Sequence, residues 1–173
     1  EPLTAAQEDA LVDFLVDEHK ALATYESVME QFGEIEPFVS IARAEEQHIA
    51  SLERIFTRYG VALPEVTDFD IPSFETPEDA AEAAMQAEID NAAQYDRLTS
   101  QFTQADILRV MGNLSRASLE KHLPAFEVFA NGDALLYEDH LGTGSPQGGQ
   151  GTRGQGLKQR DDVGEWNRGG MGS

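Results

Sequence analysis

Five residues of this chain join metal-ligand chemistry to positions where a helix core should be apolar: Glu18, Glu45, His48, Glu88 and His122. Glu45 and His48 stand three apart, a spacing that puts both side chains on one face of a helix. At heptad spacing the first stretch reads Leu11, Leu15, Glu18, Leu22, Tyr25, Met29, Phe32. The second reads Phe38, Ile41, Glu45, His48, Leu52, Ile55, Tyr59, and the third Ala81, Met85, Glu88, Ala92, Tyr95, Leu98, Phe102. Each stripe is apolar except near its middle. An unpaired buried carboxylate costs several kcal/mol, a large part of a total stability of about 5–15 kcal/mol. Three such groups facing one another call for a cation, and a bound metal supplies it.

Taken singly, each glutamate also reads as a surface residue at the edge of its stripe. A metal-free cluster of protonated, hydrogen-bonded carboxyls is a further alternative. The common register of three glutamates and two histidines is what points to one shared centre. The chain has no cysteine, which excludes thiolate zinc sites, iron–sulfur clusters and disulfides. Oxygen and imidazole donors suit iron or manganese, and also zinc, as one ion held well or two held asymmetrically with water.

Neighbouring residues are read against the same helical wheel. Tyr25 and Tyr95 lie two turns beyond Glu18 and Glu88. They are expected as core aromatics with a hydrogen-bonded hydroxyl; the functional alternative makes them donors to a ligand or redox-active groups. No catalytic residue is otherwise assigned. Ser118, one turn before His122, faces inward and can hold a water. His122 by itself reads equally as a packed core histidine. Counting three back from His122 gives Leu119 where a second Glu-x-x-His would need glutamate, and Glu120 points to solvent. His19 is expected at the surface and His140 in a turn outside the helices.

Four long helical patterns must position these residues. The first runs from about Thr4 to Phe32 and stops at Gly33. The second runs from Pro37 to near Gly60, and the third follows Thr76-Pro77 with Thr76 as N-cap. The fourth runs from about Thr103 to Ala130, before Asn131-Gly132. Short links join the first to the second and the third to the fourth, making antiparallel hairpins. The link between the hairpins, with Pro64 and Pro72, is long enough to cross the bundle lengthwise at ~3.3 Å per extended residue. The expectation is all-α, a four-helix bundle of ferritin-like arrangement, two hairpins with one long crossover. An internal repeat supports it: Glu18 with Tyr25 matches Glu88 with Tyr95, Phe32 matches Phe102, and His48 and His122 occupy comparable places.

After Leu141 the composition changes. Eleven of the fifteen glycines fall between Gly142 and Ser173, so the chain divides into a helical body, 1–141, and a Gly-rich tail, 142–173. The net charge is −20, which makes nucleic acid an unsuitable partner. The tail runs against that balance, with Arg153, Lys158, Arg160 and Arg168 against three acidic residues. Those four and Trp166, the single tryptophan, are the candidate assembly residues. No apolar run is long enough to span a bilayer. A chain that begins at Glu1 fits removal of a secretory signal.

The pattern of Glu18, Glu45-x-x-His48, Glu88 and His122 resembles the ferritin-like superfamily and its carboxylate-bridged di-iron centres. More closely, SIARAEEQHIASLERIFTRYGV followed by LEKHLPAFEVF looks like a mostly uncharacterised prokaryotic branch catalogued as a domain of unknown function. The resemblance covers about Leu11 to Phe129. It implies a bundle that binds iron or manganese and, since members are often exported, an extracellular or cell-surface location. The functional expectation is an exported metal-binding bundle with a structural role, self-associating through its tail into a homo-oligomer or filament. The alternatives are a di-iron or di-manganese oxidase acting on ferrous iron, oxygen or peroxide, and metal buffering. The missing glutamate before His122 sets the chain apart from the ferroxidase pattern.

Overall fold

The computed structural model describes residues 2–66 and 69–132. The sequence readings at His140, Trp166 and the tail's basic residues lie outside them. Helix α1 spans Ala5–Phe32, α2 Phe38–Tyr59 and α3 Pro77–Thr99. The fourth rod is α4 (Ala105–Ala117), a wide π-helical turn (Ser118–His122) and α5 (Leu123–Ala130). The described residues are thus an all-helical four-rod bundle.

Local chemistry sets the ends. The Thr4 hydroxyl accepts from the Gln7 N–H at 3.3 Å while the Gln7 side chain accepts from the Thr4 N–H at 3.0 Å. Thr76 and Asp79 make the same reciprocal pair at 3.1 Å each, with Pro77 opening α3. Such boxes satisfy N–H groups that a helix start leaves orphaned. Pro37 stands at the cap of α2 rather than inside it, and the Glu36 carboxylate accepts from the Ser40 N–H at 3.2 Å. Gly60 ends α2 at φ +71°, a left-handed conformation that favours glycine.

The expected continuous fourth helix is corrected in two respects. It begins at Ala105 behind Gln104, and it widens at Ser118–His122, where the Leu123 N–H reaches the Ser118 carbonyl five residues back. Pro124 explains the widening. It has no N–H to give, and its ring collides with the carbonyl of the preceding turn in a regular α-helix. One wide turn removes that collision, as single π-turns in helices do.

End-to-end contacts fix the directions. The Gln7 side chain donates to the Gln101 carbonyl at 2.7 Å, so α1 begins where α3 ends. At the other end, the Gln31 side chain donates to the Phe74 carbonyl at 2.8 Å, just ahead of α3. Arg58 and Tyr59, closing α2, both reach Asp106 at the start of α4, at 2.7 and 2.8 Å. Helix α2 therefore ends at the opposite pole from the start of α3. The 61–76 link spans the bundle's length, and α2 and α3 run parallel.

The apolar core comes in two parts. One gathers Leu11, Phe14, Leu52, Phe56, Ile107 and Met111 around the start of α1 and the end of α2. The other gathers Val28, Phe38, Ile41, Ala81 and Phe126 at the opposite pole. Between them lies the only buried polar layer among the described residues: Glu18, Glu45, Glu88, Ser118 and His122.

Candidate metal centre

The helices bring all five candidate ligands together. Glu18 is 1% exposed, Glu45 and Glu88 2% and His122 3%, while the His48 side chain keeps 14%. His48 Nδ1 lies 2.8 Å from a Glu45 oxygen and 3.2 Å from Glu18. His122 Nδ1 lies 3.1 Å from the other Glu45 oxygen and 3.2 Å from Glu88. The two imidazoles stack with centroids 5.4 Å apart and planes 24° apart. Two groups suited to hold a metal ion result, Glu18/Glu45/His48 and Glu45/Glu88/His122, each with its donor atoms within 4.8 Å of one another. Glu45 belongs to both.

The tyrosines are wired crosswise. Tyr25 of α1 donates to Glu88 of α3 at 2.8 Å, and Tyr95 of α3 donates to Glu18 of α1. Each is anchored in a different half of the core. Phe14 stacks on Tyr95 at 4.5 Å, and Tyr25 sits against Phe126 at 5.3 Å and Phe38 at 5.9 Å. Both hydroxyls therefore meet the carboxylate layer from opposite poles. Burial and the facing carboxylates push both phenols upward, so they stay protonated and donate.

Electrostatics without a cation follow from the same contacts. Burial, and then the adjacent Glu45, push Glu18 up to about 8, with His48 pulling the other way. Burial alone raises Glu45 as well, but hydrogen bonds from Glu18, His122 and His48 hold it below the usual carboxylate range. Burial disfavours charged imidazoles, yet the carboxylates prevail and hold His48 up at about 9 and His122 at about 10. Imidazolium protons thus stand where cations would neutralise the carboxylates. Both histidines aim Nδ1 at the carboxylate layer, the donor arrangement a divalent ion needs once those protons leave. The donor set of carboxylates and imidazoles therefore fits an ion of the iron, manganese or zinc type.

Other sequence readings fall as follows. Glu120 is exposed, and Ser118 is buried on the inner face. Leu119 is 43% exposed, so the position three before His122 lies outside the centre altogether. His19 is partly exposed, outside the buried layer. Sequence reasoning passed over Asp17 and Gln94, which bond to each other across α1 and α3 beside the centre. They help line a groove of about 350 Å³ whose inner wall includes Tyr25. None of the five candidate ligands lines it.

No family model and no curated protein matches the chain. In three dimensions the chain is similar to the crystal structure of a hypothetical protein from Methanococcus jannaschii DSM 2661. The TM-score is 0.68 at 19% identity, over 78% of this chain and 85% of that one. At such identity the likeness is one of fold.

Proposed function

We propose that this chain is a metal-binding bundle of the ferritin-like kind, whose core centre takes one or two divalent ions, iron or manganese before zinc. The observation that carries this reading is the pair of adjoining Glu/His groups sharing Glu45 in an otherwise apolar core. Glu18 and His48 would serve one position, Glu88 and His122 the other, and Glu45, common to both groups, would serve both. A bound pair of cations would link α1, α2, α3 and the fourth rod at their midpoints. That supports a structural role for the metal, because a ligand held only by the native state stabilises it. We further propose that the exported protein self-associates through its tail, on the sequence evidence of Trp166 and four basic residues following an acidic body.

A second reading, a di-iron or di-manganese oxidase, draws support from His48, whose 14% exposure gives the centre one edge near solvent. Buffering of metal without turnover fits the same donors. The deciding experiment is metal analysis of protein purified without chelator, followed by ferrous iron addition under an oxygen electrode. Bound metal without oxygen uptake supports the structural role, and rapid uptake supports the oxidase. A protein that neither retains nor takes up metal defeats all three.

A further inference from the structure

The repeat between α2 and the fourth rod holds residue for residue only if the π-turn is counted as a one-residue insertion. Ahead of it, the buried Phe38, Ile41 and Glu45 correspond to the buried Met111, Leu114 and Ser118 at one constant separation. Beyond it, His48 and Leu52 correspond to His122 and Phe126 at a separation one residue longer. A π-turn has this effect, since it adds one residue to a helix without changing what lies on either side. The counterpart of Glu45 is therefore Ser118, not Leu119. Ser118 and His122 are both buried at the ends of the wide turn, and Leu119, Glu120 and Lys121 are exposed between them.

We infer that Ser118 marks a vacated carboxylate position, and that a small carboxylate from solution fills it when the centre is loaded. This rests on the proposed two-ion centre. Relative to glutamate, serine lacks the terminal CH₂–COO⁻ fragment, which is acetate in size and charge. Charge points the same way. Two divalent ions among Glu18, Glu45 and Glu88 with neutral imidazoles leave one uncompensated positive charge, in a layer at most 3% exposed apart from His48. An isolated charge in such a place is costly, and one monoanion removes it. Ser118 stands one turn before His122, which is a member of the wholly buried Glu45/Glu88/His122 group. That group is therefore the one whose filling depends on the anion.

The test uses the full chain, metal-free, titrated with Co(II) in a non-coordinating buffer with and without acetate. Binding is read by calorimetry and by the visible Co(II) spectrum. The expected result is that acetate tightens the second equivalent by about tenfold, the scale on which metal sites respond to nearby groups, and alters its spectrum, with the first little changed. Ser118→Glu is expected to take two equivalents without acetate and to lose the acetate response, whereas Leu119→Glu is expected to keep it. The wild-type titration stands even if Ser118→Glu does not fold. Two equivalents bound independently of acetate overturn the inference and leave the metal centre standing. Rescue by Leu119→Glu in place of Ser118→Glu overturns the assignment of the position. No Co(II) binding at all overturns both the centre and the inference.

Discussion

Glu45 is the residue on which the centre turns, because it alone contributes to both groups. Glu45→Gln is therefore expected to cost both equivalents of metal, while Glu88→Gln costs chiefly one. Glu120→Ala, at an exposed position, is expected to leave metal content unchanged. Metal analysis of the three variants side by side checks this, and equal loss from the Glu120 variant would refute the assignment of faces. The same residues set a pH signature. His48 and His122 are raised from 6.5 to about 9 and 10, so their stabilisation is full below 6.5 and lost as pH rises through those values. Glu18, raised from 4.5 to about 8, likewise stabilises at low pH and loses that contribution by about 8. Glu45 is lowered, so its contribution is lost only in acid, as pH falls below the usual carboxylate range. Metal-free protein should thus lose melting temperature between pH 6 and 10. Loaded protein should gain on it over the same range, because metal binding releases protons. Melting curves with and without chelator measure the two trends. Parallel curves would speak against binding at these histidines.

Among the elements, α3 is the one that depends most on polar contacts. Ahead of Glu88 its buried residues are Ala80, Ala81 and Ala84, whereas α2 buries Phe38, Ile41, Leu52, Ile55 and Phe56. Burial stabilises by roughly 25 cal/mol per Å² of apolar surface, so alanines contribute far less. The capping box at Thr76, the bond that Glu88 accepts from the Tyr25 hydroxyl and the bond that the Tyr95 hydroxyl donates to Glu18 carry more of the weight in α3. Thr76→Ala is expected to cost about 1 kcal/mol in chemical denaturation without altering metal stoichiometry. Loading with metal is expected to slow amide exchange in α3 more than in α2. Greater protection of α2 would mean that the metal does not bear on Glu88.

For the whole molecule, metal is expected to add about 2.7 kcal/mol at a hundredfold excess over Kd, read as a chelator-sensitive melting temperature. An unchanged melting temperature would remove the structural role. Deleting residues after Leu141 is expected to leave helicity and metal content intact and to abolish self-association, and Trp166→Ala to weaken it. Light scattering on truncated and full-length protein is the measurement. The same assembly state in both would make the tail a passive appendage. The tail's cationic residues contribute little one by one if exposed, so a graded loss across Arg153, Lys158, Arg160 and Arg168 is expected rather than one decisive position.

The features legible along the chain were local and periodic. Thr76 as a cap, Gly60 as a stop and the inward placement of Glu18, Glu45, His48 and Glu88 all follow from residue type and position along one helix. The fourth helical pattern reads as one unbroken helix from about Thr103 to Ala130, and the wide turn ahead of Pro124 is a feature of the structure. The tertiary structure decided what depends on two helices at once. From sequence, Tyr25 and Tyr95 stand near the glutamate of their own helix, yet each bonds to the glutamate of the other. That choice depends on the distance and rotation between α1 and α3, which no spacing within either records. Phe14 and Phe56 join the core beside the heptad stripes for the same reason: a helix inside a bundle meets two neighbours, and its buried face is wider than one seam. The fourth rod admits one extra residue at Ser118–His122, which leaves Ser118 and His122 buried at the two ends of the wide turn. The inward side of Ser118 follows from its place one turn before His122, but the extra residue in that turn shows only in the folded rod.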